Sequence, residues 1–87
     1  MEKIRLLVFS GSWCIPCGKM HENISEAMKS IDGVEIVEVD VDKEPDMARE
    51  YKVRSIPFLA LLKGDDVVGT MVGVRPVEEI KKFLAQA

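Results

Sequence analysis

Short β-branched runs alternate with helix-periodic stretches along the whole of this 87-residue chain, and that alternation admits few architectures. The run from about Lys3 to Phe9 is apolar at its centre, which suits a strand covered on both faces. From Pro16 the period turns helical. Cys17, Met20, Ile24, Ala27, Met28 and Ile31 recur at three and four residues, polar side chains stand between them, and Asp32-Gly33 ends the stretch. Val34 to Val41 alternates as a strand, with Val37, Val39 and Val41 on one face and Glu38 and Asp40 sharing the other with Val34 and Ile36. Pro45 to Lys52 reads as a short helix, Pro57 to Leu62 as an apolar strand and Lys63-Gly64-Asp65-Asp66 as a hairpin turn. Val67 to Val72 is the partner strand, and Pro76 to Gln86 is a helix with Val77, Ile80, Phe83 and Leu84 on its inner side. Each helix opens on a proline, which suits a first turn whose amides have no helical partner.

The order is strand, helix, strand, helix, strand, strand, helix. Strands separated by a helix are expected to pair in parallel through right-handed crossovers, and the hairpin strands antiparallel. The fold class is therefore α/β, a four-stranded mixed sheet with helices on both faces, in one domain over residues 1–87. A chain this short buries only about 60 to 65% of its unfolded surface, so a large internal cavity would remove core it needs, and function belongs on the surface. Twelve Lys and Arg against 15 Asp and Glu, a net charge of −3, argue against nucleic acid and anionic membranes as partners. The apolar run Leu6 to Phe9 is too short for a signal-peptide core or a spanning helix, so we read a cytoplasmic protein. A monomer is the expected state.

Cys14 and Cys17 are the two cysteines, too few and too close to staple a fold. Their place after a strand and at the opening of a helix points to redox chemistry. A thiolate at the first helical turn faces unpaired amides and the positive end of the helix dipole, which lowers the pKa of Cys14 below the free value of about 8.5. Cys17, one turn further on and on the side of Met20 and Ile24, is expected to be less exposed. Cys14 then attacks a disulfide and Cys17 resolves the mixed disulfide. Two other readings stand beside this one. The thiols could be small buried hydrophobes, or Cys14, Cys17 and His21 could be three ligands of a zinc site lacking a fourth. His21 alone reads as a solvated helix residue.

The stretch from Val8 through Trp13-Cys14-Ile15-Pro16-Cys17 resembles the strand and active site of the thioredoxin family. Val39-Asp40-Val41-Asp42 is similar to that family's second-strand end, Tyr51 to Pro57 to its cis-proline segment, and Val72-Gly73-Val74 to its closing element. The resemblance implies a minimal thioredoxin fold and a protein-disulfide oxidoreductase with no cofactor beyond the Cys14–Cys17 disulfide. It also implies a cis Pro57 near Cys14, and an Ile56 backbone that pairs with an extended partner. Trp13, Ile15, Pro16, Gly73 and Val74 would line a shallow apolar groove. Protein disulfides are the implied substrates, with a thioredoxin-reductase-like flavoenzyme or another reductant as electron donor.

Departures accompany the match. The first strand and helix of a full thioredoxin are missing ahead of Cys14, which gives a glutaredoxin-sized architecture. Ile-Pro stands between the cysteines where Gly-Pro is usual. The Pro-Tyr of glutaredoxins is absent, which weakens a glutathione-dependent alternative; a non-catalytic metal- or partner-binding module is the other alternative. The family's buried aspartate aligns with Val8 and its lysine partner with Glu38. Glu38 is accordingly expected to sit partly desolvated beneath Cys17 and to take over proton transfer, the competing expectation being a solvated carboxylate at a strand end.

Overall fold

The structure, a computed structural model, describes residues 2–87. Its elements are β1 (Ile4–Ser10), α1 (Ile15–Met28), β2 (Val34–Asp40), α2 (Pro45–Glu50), β3 (Phe58–Lys63), β4 (Asp66–Val72) and α3 (Val77–Leu84). The order is the one expected from hydrophobic period, with small changes at the ends. α2 stops at Glu50 because Lys52 turns into the left-handed region, at φ 57°. Beyond α1, the amides of Ser30 and Ile31 reach back three residues rather than four, so the last apolar residue of the pattern, Ile31, lies outside the helix.

The four strands form one sheet in the order β2-β1-β3-β4. β1 and β2 are parallel, while β3 runs antiparallel to both β1 and β4. The expectation that every helix-separated pair would be parallel therefore fails at β2 and β3, which are not neighbours. Helix length explains it. A seven-residue strand spans about 23 Å, and the 14 residues of α1 rise about 21 Å, enough to carry the chain back to where β1 began. The six residues of α2 rise only about 9 Å, so the chain enters β3 from the end where β2 left off and must run the other way.

Both faces of the sheet are covered. Leu6, Val8, Leu59 and Leu61 pack against Met20, Ile24 and Ala27 of α1 and Ile80, Phe83 and Leu84 of α3, and all of these are buried. On the other face Leu7, Phe9, Val39, Phe58, Ala60 and Leu62 form a second cluster under Met47, Tyr51, Val53 and Ile56. The Phe9 ring lies 5.6 Å from both Tyr51 and Phe58, centroid to centroid. α2 itself has no fully buried residue, so this second face is the lighter of the two. Among the described residues no helix is long and apolar enough to cross a membrane.

One consequence of the topology builds the site. The chain leaves β1, β2 and β4 and enters β3 at the same end of the sheet, so four connecting segments meet there.

Candidate active site

The first segment is the turn from β1 into α1. The Cys14 amide donates to the Gly11 carbonyl at 3.1 Å, and Cys14 takes the N-cap position with extended backbone (φ −93°, ψ 102°). Its side chain caps nothing, and Pro16 occupies the first turn, which has no acidic residue. The positive end of the helix dipole therefore faces the sulfurs without a competing carboxylate. Cys14 and Cys17 are joined in a disulfide with Cα atoms 5.4 Å apart. Cys17 is only 4% exposed, whereas Cys14 is half-buried, as expected from its place one turn earlier. Ile15, between them, is 90% exposed.

The second segment follows β2 and holds the tryptophan. Trp13 is 64% exposed, and its indole N–H donates to Asp42 Oδ2 at 2.9 Å. Asp42 is fixed in turn by Asp40, whose Oδ1 accepts the Asp42 and Lys43 amides at 2.8 and 3.3 Å. Gly11 lies so close under the ring that a Cβ there would stand 3.0 Å from Trp13 Nε1 and 3.2 Å from Ile56 Cδ1. Beside the tryptophan a cavity of about 120 Å³ opens between Val41, Ala48, Val53 and Ile56, with Arg54 and Ser55 in its wall.

The third and fourth segments face each other. The Ile56–Pro57 bond is cis, as the resemblance implies, and Pro57 is buried. The Ile56 amide and carbonyl have no backbone partner among the described residues, which leaves them open to an extended peptide. Gly73 sits at φ 86°, where side-chain-bearing residues are disfavoured, and its amide donates to the Pro57 carbonyl at 2.9 Å. Val74 follows, 41% exposed. α1 grips the next residue twice: Asn23 Nδ2 donates to the Arg75 carbonyl at 2.8 Å, and the Arg75 amide points at Met20 Sδ at 3.4 Å.

The geometry thus brings Trp13, Cys14, Ile15, Pro16, Cys17, Ile56, Pro57, Gly73 and Val74 to one end of the sheet. Glu38 is the exception and a correction. It lies beside Val8 in the β1–β2 register, but its side chain is 60% exposed and not desolvated beneath Cys17. β2 is the edge strand, so the overlying helix covers it incompletely. Glu38 Oε1 instead meets His21 Nε2 at 3.1 Å. Gly11, Asp42 and Asn23 were not legible as site residues: Asp42 and Asn23 act through contacts distant in sequence, and the crowding at Gly11 depends on how the Trp13 ring folds back over it and on Ile56. The Val39-Asp40-Val41-Asp42 motif was the one available signal for Asp42. Among the described residues, no group of three or more His, Cys, Asp or Glu is placed to hold a metal ion.

Comparison with known proteins agrees with this geometry. A family model described as Thioredoxin matches residues 1–86. The chain is 37% identical over 84 residues to thioredoxin 2 of Chlorobaculum tepidum, covering 95% of this chain and 77% of that one. It is 36% identical over 84 residues to a thioredoxin of Bacillus subtilis, covering 95% and 81%. Mitochondrial thioredoxin 3 of Saccharomyces cerevisiae, solved in its oxidised form, superposes with a TM-score of 0.89 at 26% identity, over 100% of this chain and 81% of that one.

Proposed function

Since the chain belongs to the thioredoxin family and is a thiol–disulfide oxidoreductase acting on protein disulfides, we propose that Cys14 is its nucleophile and Cys17 its resolving thiol, with electrons supplied by a thioredoxin-reductase-like flavoenzyme. The observation that carries the assignment is the unequal exposure of the two cysteines: a partner can reach Cys14 at the helix start, and Cys17 is covered. In the reduced protein the Cys14 thiolate, favoured by the helix dipole, attacks a partner disulfide and displaces one of its sulfurs. Cys17 then attacks Cys14, expels the second partner sulfur and leaves the Cys14–Cys17 disulfide, the protein's own redox centre. The partner lies as an extended segment along Ile56 and Pro57, with Trp13, Ile15, Pro16, Gly73 and Val74 against its apolar side chains. A monomer working as reductant in the cytoplasm is the setting this reading favours.

The test is insulin reduction with dithiothreitol, followed by replacing that donor with either a thioredoxin reductase and NADPH or glutathione. Accelerated reduction with the flavoenzyme, and little with glutathione, is the expected result. Efficient recycling by glutathione alone would overturn the donor assignment. Cys17→Ser is expected to accumulate mixed disulfides with partners. Equal trapping by Cys14→Ser would overturn the assignment of roles to the two cysteines.

A further inference from the structure

Resolution of the mixed disulfide requires Cys17 to lose a proton, and the buried surroundings of Cys17 supply no acceptor. Among the described residues no polar or charged side chain is buried, and the β1 residue on the α1 face behind the active site is Val8, 1% exposed. The next titratable side chain on the Cys17 side of α1 is His21, four residues on, a spacing that sets Cβ atoms about 5–6 Å apart. Its side chain is 38% exposed, enough to be reached by water. Its Nε2 is held by Glu38 Oε1 at 3.1 Å. A carboxylate that accepts from Nε2–H leaves the other ring nitrogen, Nδ1, as the acceptor of a neutral imidazole.

We infer that His21, oriented by Glu38, accepts the Cys17 proton through water when the mixed disulfide is resolved. Glu38 is a positioning residue in this scheme, and it acts only through the imidazole. The step balances. Cys17 S–H gives its proton to His21 Nδ1 by way of water, and the thiolate attacks Cys14 Sγ. The Cys14–partner S–S bond breaks as the Cys14–Cys17 bond forms. The electron pair leaves on the partner sulfur, which takes up a proton from the imidazolium or from solvent. The partner sulfur is reduced and the protein's dithiol is oxidised to its disulfide.

The charges around His21 do not compete for this role. From β2 the facing group is Glu38; Asp40, next on that face, is occupied by the Asp42 and Lys43 amides. β1 presents the apolar Val8. On the α3 side Arg75 pairs with Glu79 at 3.0 Å and Glu78 with Lys81 at 3.6 Å. On α1 itself, Lys19 and Glu22 are exposed.

The inference rests on Cys17 being the resolving thiol, and the experiment separates the two. Reduced protein is mixed with dithiobis-nitrobenzoate, which releases one coloured thiol when Cys14 attacks and a second when Cys17 resolves. Both phases are followed from acid to alkaline pH. The first phase is expected to be unchanged in His21→Gln and His21→Ala. The second is expected to slow about a hundredfold near neutrality, the low end of what a positioned base contributes, and to recover only at alkaline pH, where the thiol ionises unaided. Glu38→Gln slows it less and keeps the wild-type shape of the pH profile. Added imidazole accelerates the second phase of His21→Ala and not that of the wild type. A second phase in the His21 variants with unchanged rate and pH profile overturns the inference alone. A wild type that releases only one coloured thiol overturns the resolving role of Cys17 and the inference with it.

Discussion

The two ends of the sheet are built from the same four strands and could hardly differ more in chemistry. At the end where β1, β2 and β4 finish, Trp13, Ile15 and Val74 stand open to solvent with no covering element. At the opposite end an open cleft is lined by Lys3, Arg5, Glu35, Val37, Gly64 and Asp65. Lys3 pairs with Glu35 at 3.1 Å, the Arg5 guanidinium donates to the Gly64 carbonyl at 3.1 Å, and the Lys3 carbonyl accepts the Gly64 amide at 2.8 Å. The sulfur end exposes Trp13 and Ile15 at 64% and 90%, and the other end has ion pairs beside the less exposed Val67 and Val68. An 87-residue chain with this little core gains no stability from leaving a tryptophan and an isoleucine in water, and the exposed pair at the sulfur end fits the docking surface proposed there. The charged end carries solubility and closes the hairpin.

That contrast can be broken from either end. The largest effect is expected from Cys14→Ser, which takes insulin reduction to background while leaving thermal stability near that of the reduced wild type. Leu61→Ala, in the centre of the sheet and fully buried under α1 and α3, is expected to lose about 2–5 kcal/mol in urea unfolding, and it weakens both ends alike. Gly73→Ala meets no steric obstacle, yet its φ of 86° makes a Cβ costly by about 1–2 kcal/mol, read as a fall in denaturation midpoint. A rise in KM for protein disulfides accompanies it as Val74 shifts. Ile15→Ser leaves the fold alone and is expected to raise KM about tenfold, equivalent to 1.4 kcal/mol of lost apolar contact. Glu35→Gln, at the charged end, is expected to change stability by less than about 0.5 kcal/mol and catalytic efficiency not at all. A clear loss of activity in Glu35→Gln would show that the far end also takes part.

Much of this was legible in the chain. The helical period from Cys17 to Met28, the alternation in β2 and the glycine turn at Gly64 reflect local physics, and they fixed the elements within a residue or two or, at the ends of α1 and α2, within three. Cys14 and Cys17 were legible as a pair from their place at a helix start, and the cis bond before Pro57 followed from the family resemblance, since a strand-starting proline is as readily trans. What was not legible depended on which strand lies beside which. The antiparallel entry of β3 followed from α2 being too short to cross the sheet, a matter of a few residues at its end. Glu38 shows the same limit. Its face of β2 was read correctly, but burial on that face required knowing that β2 is the edge strand. Asp42 reaches Trp13 across 29 residues, and no local pattern encodes a partner so distant.

The Gly73–Pro57 hydrogen bond and the hold of Asn23 on Arg75 have a thermodynamic consequence. The walls of the groove belong to separate loops, which would ordinarily be ordered by whatever binds between them. Here the chain orders them when it folds: Gly73 is tied to Pro57 through backbone groups, and the Asn23 side chain holds the Arg75 carbonyl. An incoming peptide then gives up its own conformational freedom and asks for little from the protein. The apolar contacts it makes go into holding it in line with Cys14, and a modest area of contact suffices for an encounter that ends in a covalent bond.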